Sequence, residues 1–294
     1  MTPDTPKLLI CNADDFGLGR RVTDAIVDAH TGGIVTSTTL MTNMPAAEYA
    51  VERSREVPEL GVGVHLTLTQ GRPLSPLEEV PNLVDDEGNF LPILRQRENL
   101  WRGAEAGAQV AREFEAQIRR ALDLGLTPTH CDSHHGIHKM PVALVAFLRL
   151  LPKYDIPAAR THRGGYFCRP DAPLGVRMRR TIRNLKTFHR IAMRRWIHGK
   201  YARHGLRTPD RLANVTMLVS DSDNPKKRLL DTLAALRPGV SEMAFHPGYD
   251  DPEVHDPESF AGVRESDMRI LTDPDVVEAV SRHGIRPISF GDLA

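Results

Sequence analysis

Short apolar, β-prone runs alternate along the chain with longer segments of helical periodicity, and that alternation restricts the fold to a mostly parallel sheet or barrel wrapped by helices. The first unit is the clearest. Residues 8–11 predict a buried strand, and Val22, Ile26 and Ala29 then recur at helical spacing until Gly32 and Gly33 stop the helix. Further strands are predicted at 34–41, 61–68, 127–131, 156–160, 214–218, 241–245 and 286–289. The total, about eight, is the number that closes a (β/α) barrel. Helices are predicted over 46–55, 104–124, 142–151, 225–236 and 274–283, and Pro141, Pro225 and Pro274 each suit a first helical turn, where no N–H is needed. The expected fold class is therefore α/β, an irregular (β/α) barrel forming one domain over residues 1–294. Residues 71–99, rich in proline and turn residues, are too long and polar for a simple connection and are expected to run as a loop over the barrel mouth.

Composition narrows the class of protein. A chain of 294 residues without a linker-like Gly, Ser or Pro run can bury one large core. Its 38 Lys and Arg balance its 38 Asp and Glu, which argues against a protein that coats nucleic acid. Cys11, Cys131 and Cys168 lack metal-ribbon spacing and suggest a reducing compartment. No apolar run reaches the roughly 18 residues needed to span a bilayer, so a cytoplasmic location is expected.

In a (β/α) fold the C-terminal strand ends share one face, and Asp14, Asp15, His65, His134 and His246 each sit at or just beyond a predicted strand end. Asp14 and Asp15 are adjacent, so one carboxylate can ligate a cation while the other faces a substrate; an Asx-turn is the alternative. His65 shares a strand face with Gly61 and Gly63, two glycines that leave room for a ligand or a cation, although strand histidines are often hydrogen-bonded core residues. Residues 130–138 hold four histidines and an aspartate, too many polar rings for core packing, and point to a metal site. Gly136 and Pro141 favour a loop there, which selects His134 over His138 as the ligand, with His130 and Asp132 orienting it. His246, braced by Pro247 and Gly248, suits proton transfer or a local backbone hydrogen bond. Arg160 ends a strand, where it could orient a carboxylate or form an ordinary surface salt bridge.

Taken together, these motifs resemble the YdjC/ChbG-like carbohydrate deacetylases nearly end to end. The resemblance rests on Asn12-Ala13-Asp14-Asp15-Phe16-Gly17, Gly32-Gly33-Ile34-Val35-Thr36-Ser37-Thr38-Thr39, Gly63-Val64-His65-Leu66-Thr67, Thr129-His130-Cys131-Asp132-Ser133-His134-His135 and His246-Pro247-Gly248. It implies a barrel hydrolase, often a homodimer, that removes the acetyl group from an N-acetylated amino sugar with one divalent metal ion, Mg or Zn. By the same resemblance Asp15, His65 and His134 are the metal ligands and Asp14 the base. His246, held rigidly at a strand end, is expected on its own position to protonate the departing amine. Gly136 departs from relatives that often carry a third consecutive histidine, which bears on substrate contacts near His138.

Residues 176–207 contain eleven Lys or Arg and no acid, and Met178, Ile182, Leu185, Ala192 and Trp196 recur at helical spacing. A basic amphipathic helix is expected, packed on the barrel, at a dimer contact or peripheral to the inner face of the membrane. The membrane reading would suit a lipid-linked acetylated sugar, since some relatives are associated with hopanoid synthesis. A noncatalytic metal-dependent glycan-binding protein is the alternative of another class. No nucleic-acid partner is expected.

Overall fold

The strand β1 (Lys7–Phe16) organises the sheet, because it pairs in parallel with three neighbours. Along Lys7–Ala13 it meets β6 (Gly239–Phe245), along Lys7–Leu9 it meets β7 (Ile285–Pro287), and towards Phe16 it meets β2 (Ser37–Leu40). A computed structural model describes residues 5–103, 105–161, 188–213, 224–252, 254 and 261–293. Among these, the sheet order is β4 (Cys131–Ser133), β3 (Gly61–Leu66), β2, β1, β6 and β5 (Arg211–Leu212), all parallel, with β7 also on β1.

Helices cover the outer face. These are α1 (Arg20–Thr31), α2 (Ala47–Arg55), α3 (Ile93–Arg102), α4 (Ala106–Asp123), α5 (Pro141–Lys153), α6 (Phe188–Arg203), α7 (Pro225–Ala234), α8 (Ala261–Leu271) and α9 (Pro274–Arg282). Leu9, Cys11 and Ala13 point outward from β1 into a core shared with Val22, Ile26 and Ala29 of α1. A second core joins Val64 and Leu66 to Val110 and Phe114 of α4 and Phe147 of α5. Covered on both sides, β1, β2, β3 and β4 are buried along almost their whole length, so they lack the inside–outside alternation of a half-exposed strand.

The inner face follows from the two-residue period of a strand. Ile10, Asn12 and Asp14 share it on β1, and Val240, Glu242 and Ala244 on β6, with Gly61, Gly63 and His65 on β3. At its base Ile10, Ala158, Ile288, Phe290 and Leu293 form an apolar plug. Above the plug the same rows turn polar, and the candidate site lies there.

Several expectations are shifted. The strand expected at 127–131 is shifted towards the C-terminus: β4 pairs with β3 from Cys131, and backbone bonding to β3 starts only beyond Pro128, which has no N–H, with Thr129 N–H donating to Val62 O at 2.9 Å. The expected strand at 156–160 is reduced to the bridges Cys131–Ala159 and Ala158–Arg207, with Pro157 beside them, so the irregular barrel is a curled sheet held there by single bridges. The strand expected at 214–218 and the basic residues 176–187 lie outside the described residues. Helices α3 and α8 were not anticipated; α3 grows out of the 71–99 excursion. The expected apolar stripe of α6 is displaced by one position: Ala192 and Trp196 are exposed, whereas Ile197 and Tyr201 are buried. No helix among the described residues is long and apolar enough to cross a membrane.

Candidate functional site

At the end of β1 the strand period would send Asp14 and Asp15 to opposite faces. A register shift against β2 between Ala13 and Phe16, with Asp15 at φ 70°, breaks that alternation. Left-handed backbone is uncommon outside glycine and tolerated best by Asn and Asp. Both carboxylates are consequently buried on the inside of the sheet.

Asp15 faces two imidazoles. Its Oδ1 lies 3.1 Å from His134 Nδ1 and 3.5 Å from His65 Nε2. All three donor atoms lie within 4.8 Å of one another. Two ligand atoms about 2.1 Å from one ion are separated by roughly 3.0–3.4 Å, so the arrangement is near the span a single cation would impose. For two of these three residues the other atom is occupied. Asp132 Oδ1 accepts from His65 Nδ1 at 2.5 Å, leaving Nε2 directed at Asp15, and Arg264 Nη2 donates to Asp15 Oδ2 at 2.8 Å, leaving Oδ1 inward. A carboxylate with two imidazoles suits a borderline divalent ion such as Zn better than Mg. Asp14, His65 and Asp132 also bring donor atoms within the same span, but Arg160 occupies both oxygens of Asp14.

Arg160 is a buried hub, not a surface ion pair. Its Nη1 and Nη2 donate to Asp14 Oδ2 and Oδ1 at 2.7 and 2.6 Å, and its Nε donates to Glu242 Oε1 at 2.6 Å. Asp132 Oδ2 lies 2.8 Å from Nη1, an ion pair whose angles fall short of a hydrogen bond. Burial alone would raise the Asp14 carboxyl, but Arg160, then His65 and His246, hold it well below the usual range. Asp15 is likewise pulled down against burial, by Arg264 and His134. Burial pushes Glu242 up to about 7 despite Arg160. His65 behaves oppositely: burial would discharge the ring, but Asp132, then Asp14 and Asp15, raise it to about 9.

The remaining expected residues divide into two groups. His246 comes within 3.8 Å of Asp14 Oδ2, on a loop pinned where its N–H donates to Asp267 Oδ2 at 2.9 Å. His130 reaches Asp14 through an intermediary: its Nε2 is 3.1 Å from Asn12 Oδ1, and Asn12 Nδ2 donates to Asp14 Oδ1 at 2.9 Å. Burial depresses His130 to about 3, so the ring is neutral; Nε2 carries its hydrogen towards Asn12, and Nδ1 accepts from Thr129 Oγ1 at 2.9 Å. The space beside Gly63 is therefore not free for a ligand. A Cβ on Gly63 would meet His130 Nδ1 at 2.6 Å, and the ring itself stacks on Phe290 at 3.7 Å. His138 stays out of the cation pocket, packed on Phe147 and bonded to Ser133. Asn12, Glu242 and Arg264 escaped the sequence reading; of these, Glu242 carried the one visible hint, a lone acid inside an apolar strand run.

Comparison with known proteins places this geometry in context. A family model described as "YdjC-like protein" matches residues 8–282. A carbohydrate deacetylase of Geobacillus stearothermophilus is 33% identical over 288 residues, covering 98% of each chain. A chitooligosaccharide deacetylase of Enterobacter sp. is 34% identical over 296 residues, covering 98% of this chain and 99% of that one. Among solved structures, a proposed cellobiose-phosphate cleavage protein of Enterococcus faecalis superposes with a TM-score of 0.77 at 30% identity, covering 99% of this chain and 100% of that chain.

Proposed function

The chain belongs to the YdjC-like family, and from that premise we propose that it is a carbohydrate deacetylase, a hydrolase that releases acetate from an N-acetylated amino sugar with the help of one divalent cation. The observation that carries the reading is the convergence of Asp15 Oδ1, His65 Nε2 and His134 Nδ1 beside a second carboxylate, Asp14, and a histidine, His246. Asp15, His65 and His134 would hold the ion, Zn or Mg, which supplies Lewis acidity towards the acetamide oxygen and makes water more acidic.

The chain's own groups do the rest. Asp14, ionised at any physiological pH, takes the proton of the attacking water. Accepting that proton requires the Arg160 fork to loosen, and the guanidinium keeps Glu242 and Asp132 as partners while it does so. His246, whose Nε2 lies 3.8 Å from Asp14 Oδ2, delivers a proton to the departing amine. Acetate and a free amino sugar result. No serine or cysteine nucleophile is needed, and burial raises both Cys11 and Cys131, which keeps them as inert thiols.

Acetate release from N-acetylglucosamine oligomers by chelator-treated protein, with and without added Zn or Mg, tests the reading. Metal-restored release is expected. Absence of release from every acetylated sugar under both metals would overturn it.

A further inference from the structure

Three contacts fix the ring of the fully buried His130. It stacks on Phe290 with the ring centres 3.7 Å apart, its Nδ1 lies 2.9 Å from Thr129 Oγ1, and its Nε2 lies 3.1 Å from Asn12 Oδ1. It fits beside β3 because Gly63 has no side chain, since a Cβ there would meet Nδ1 at 2.6 Å. The far end of this row is the proposed base, Asp14, and Asn12 stands between the two.

The carboxylate sets the direction of every hydrogen in the row. An ionised carboxylate only accepts, so the amide beside it must present its nitrogen, and Asn12 Nδ2 donates to Asp14 Oδ1 at 2.9 Å. That choice turns Asn12 Oδ1 towards His130, which requires the hydrogen of the neutral ring to sit on Nε2 and leaves Nδ1 to accept from Thr129. Thr129 itself would tolerate the other tautomer, because its hydroxyl also lies 3.2 Å from the Val62 carbonyl oxygen and could donate there while accepting from the ring. Asn12 is what decides between them.

The two oxygens of Asp14 are thereby made unlike. Oδ1 takes two donors, Asn12 Nδ2 at 2.9 Å and Arg160 Nη2 at 2.6 Å. Oδ2 takes Arg160 Nη1 at 2.7 Å, and this nitrogen has a second acceptor at hand: Asp132 Oδ2, which makes no hydrogen bond among the described residues, lies 2.8 Å from it. A guanidinium that releases one oxygen of Asp14 therefore has somewhere to turn on the Oδ2 side, the side that His246 Nε2 approaches at 3.8 Å.

We propose that Asn12, aligned by His130, is a positioning residue that anchors Asp14 through Oδ1 and so leaves Oδ2 as the oxygen that takes the proton of the attacking water. The inference rests on the hydrolase reading and adds to it which atom of the base works and which buried pair selects it. As the water oxygen joins the acetamide carbon, its O–H bond breaks, the proton bonds to Asp14 Oδ2, and Arg160 Nη1 turns from Oδ2 to Asp132. Oδ1 keeps both of its donors throughout, so the carboxyl group does not rotate.

His130→Leu removes the Nε2 hydrogen at similar volume, and His130→Gln restores a donor towards Asn12. Acetate release by the zinc-loaded proteins, expressed per bound metal, is the first measurement. A kcat lowered about tenfold in His130→Leu and about ten- to hundredfold in Asn12→Leu is expected, the scale of one hydrogen bond to a charged group. KM and zinc affinity should stay within a few-fold of the wild type, and His130→Gln should recover most of the loss. Wild-type kcat per bound zinc in His130→Leu overturns the proposal, as does a joint fall in kcat and zinc affinity that His130→Gln does not repair, which would leave the ring a packing role alone.

The tautomer of His130 gives a readout independent of turnover. Proton–nitrogen correlation spectra of protein labelled with 15N-histidine, with His130 identified by its loss in His130→Gln, should show hydrogen on Nε2 alone in the wild type. A mixture of tautomers is expected in Asp14→Leu, where no carboxylate orients Asn12. Hydrogen on Nδ1 in the wild type, or an unchanged tautomer in Asp14→Leu, breaks the link between His130 and Asp14 and overturns the proposal. Should no acetylated sugar yield acetate while the tautomer shift is seen, the hydrolase reading falls and the alignment of Asp14 by Asn12 and His130 stands.

Discussion

Arg160 and Asp14 meet in a two-pronged contact, Nη1 to Oδ2 at 2.7 Å and Nη2 to Oδ1 at 2.6 Å, on the inside of the curled sheet. A single guanidinium thereby fixes the orientation of the proposed base while neutralising part of the charge of three buried carboxylates. Removing either partner has different consequences.

Replacing Arg160 by Met should destabilise the protein by about 3–5 kcal/mol, because Asp14, Asp132 and Glu242 lose their shared cation inside the fold. Lysine at this position should not rescue it, since one ammonium cannot reproduce the fork. Urea denaturation of the two variants checks this; midpoints equal to that of the wild type would show that the hub contributes little.

Asp14→Asn keeps the shape of the site and removes the proton acceptor. Turnover should fall by roughly 10²–10⁴-fold, the usual contribution of a general base, while metal affinity measured by calorimetry stays within a few-fold. The metal measurement separates loss of the base from collapse of the cation pocket. It also separates a hydrolase from a protein that merely binds sugar, for which Asp14 would be dispensable.

Asp132 touches His65, a proposed ligand, and its carboxylate both orients the ring and raises its basicity. Asp132→Asn should weaken metal binding by roughly 10–100-fold, as loss of a ligand-orienting carboxylate generally does. Competition against a chromophoric chelator reads this directly, and unchanged affinity would mean that the Nδ1 contact does not select the coordinating nitrogen.

Glu242 sets a pH dependence of stability. Its folded proton affinity, about 7, exceeds the ordinary 4.5, so the folded state holds the proton more tightly than the unfolded chain. The associated stability is present below pH 4.5 and is lost as pH rises from 4.5 to about 7, by an amount on the order of 3 kcal/mol or less. Glu242→Gln should flatten that window while still accepting from Arg160 Nε. Denaturant midpoints across the window give the measurement, and parallel slopes in the two proteins would refute the assignment.

How much of this was legible beforehand depends on the range of each signal. Strand and helix periods are local, so the alternating pattern, the glycine stops after α1 and the proline-led starts of α5, α7 and α9 could all be read directly. Histidines and acids at strand ends were visible for the same reason. Arg160 as a hub was not, because its meaning comes from register: Glu242 stands level with Ile10 across the β1–β6 pair, one inward step below Asn12 and two below Asp14. Arg264 lies on a helix nearly 250 positions from the carboxylate it holds, and nothing around it in sequence announces that contact. The glycines at 61 and 63 did report a close approach, but the visitor beside Gly63 is His130, from the neighbouring strand segment, not a ligand.

The threefold pairing of β1 also bears on how the molecule is made. This strand is synthesised long before one of its neighbours, β7, which begins at Ile285. At about 5–20 residues per second, roughly 15–60 s separate the two during translation. Throughout that interval Asp14 and Asp15 ride on a nascent segment whose flank is unfinished, and Asp15 waits almost as long for Arg264, the residue that fixes its Oδ2.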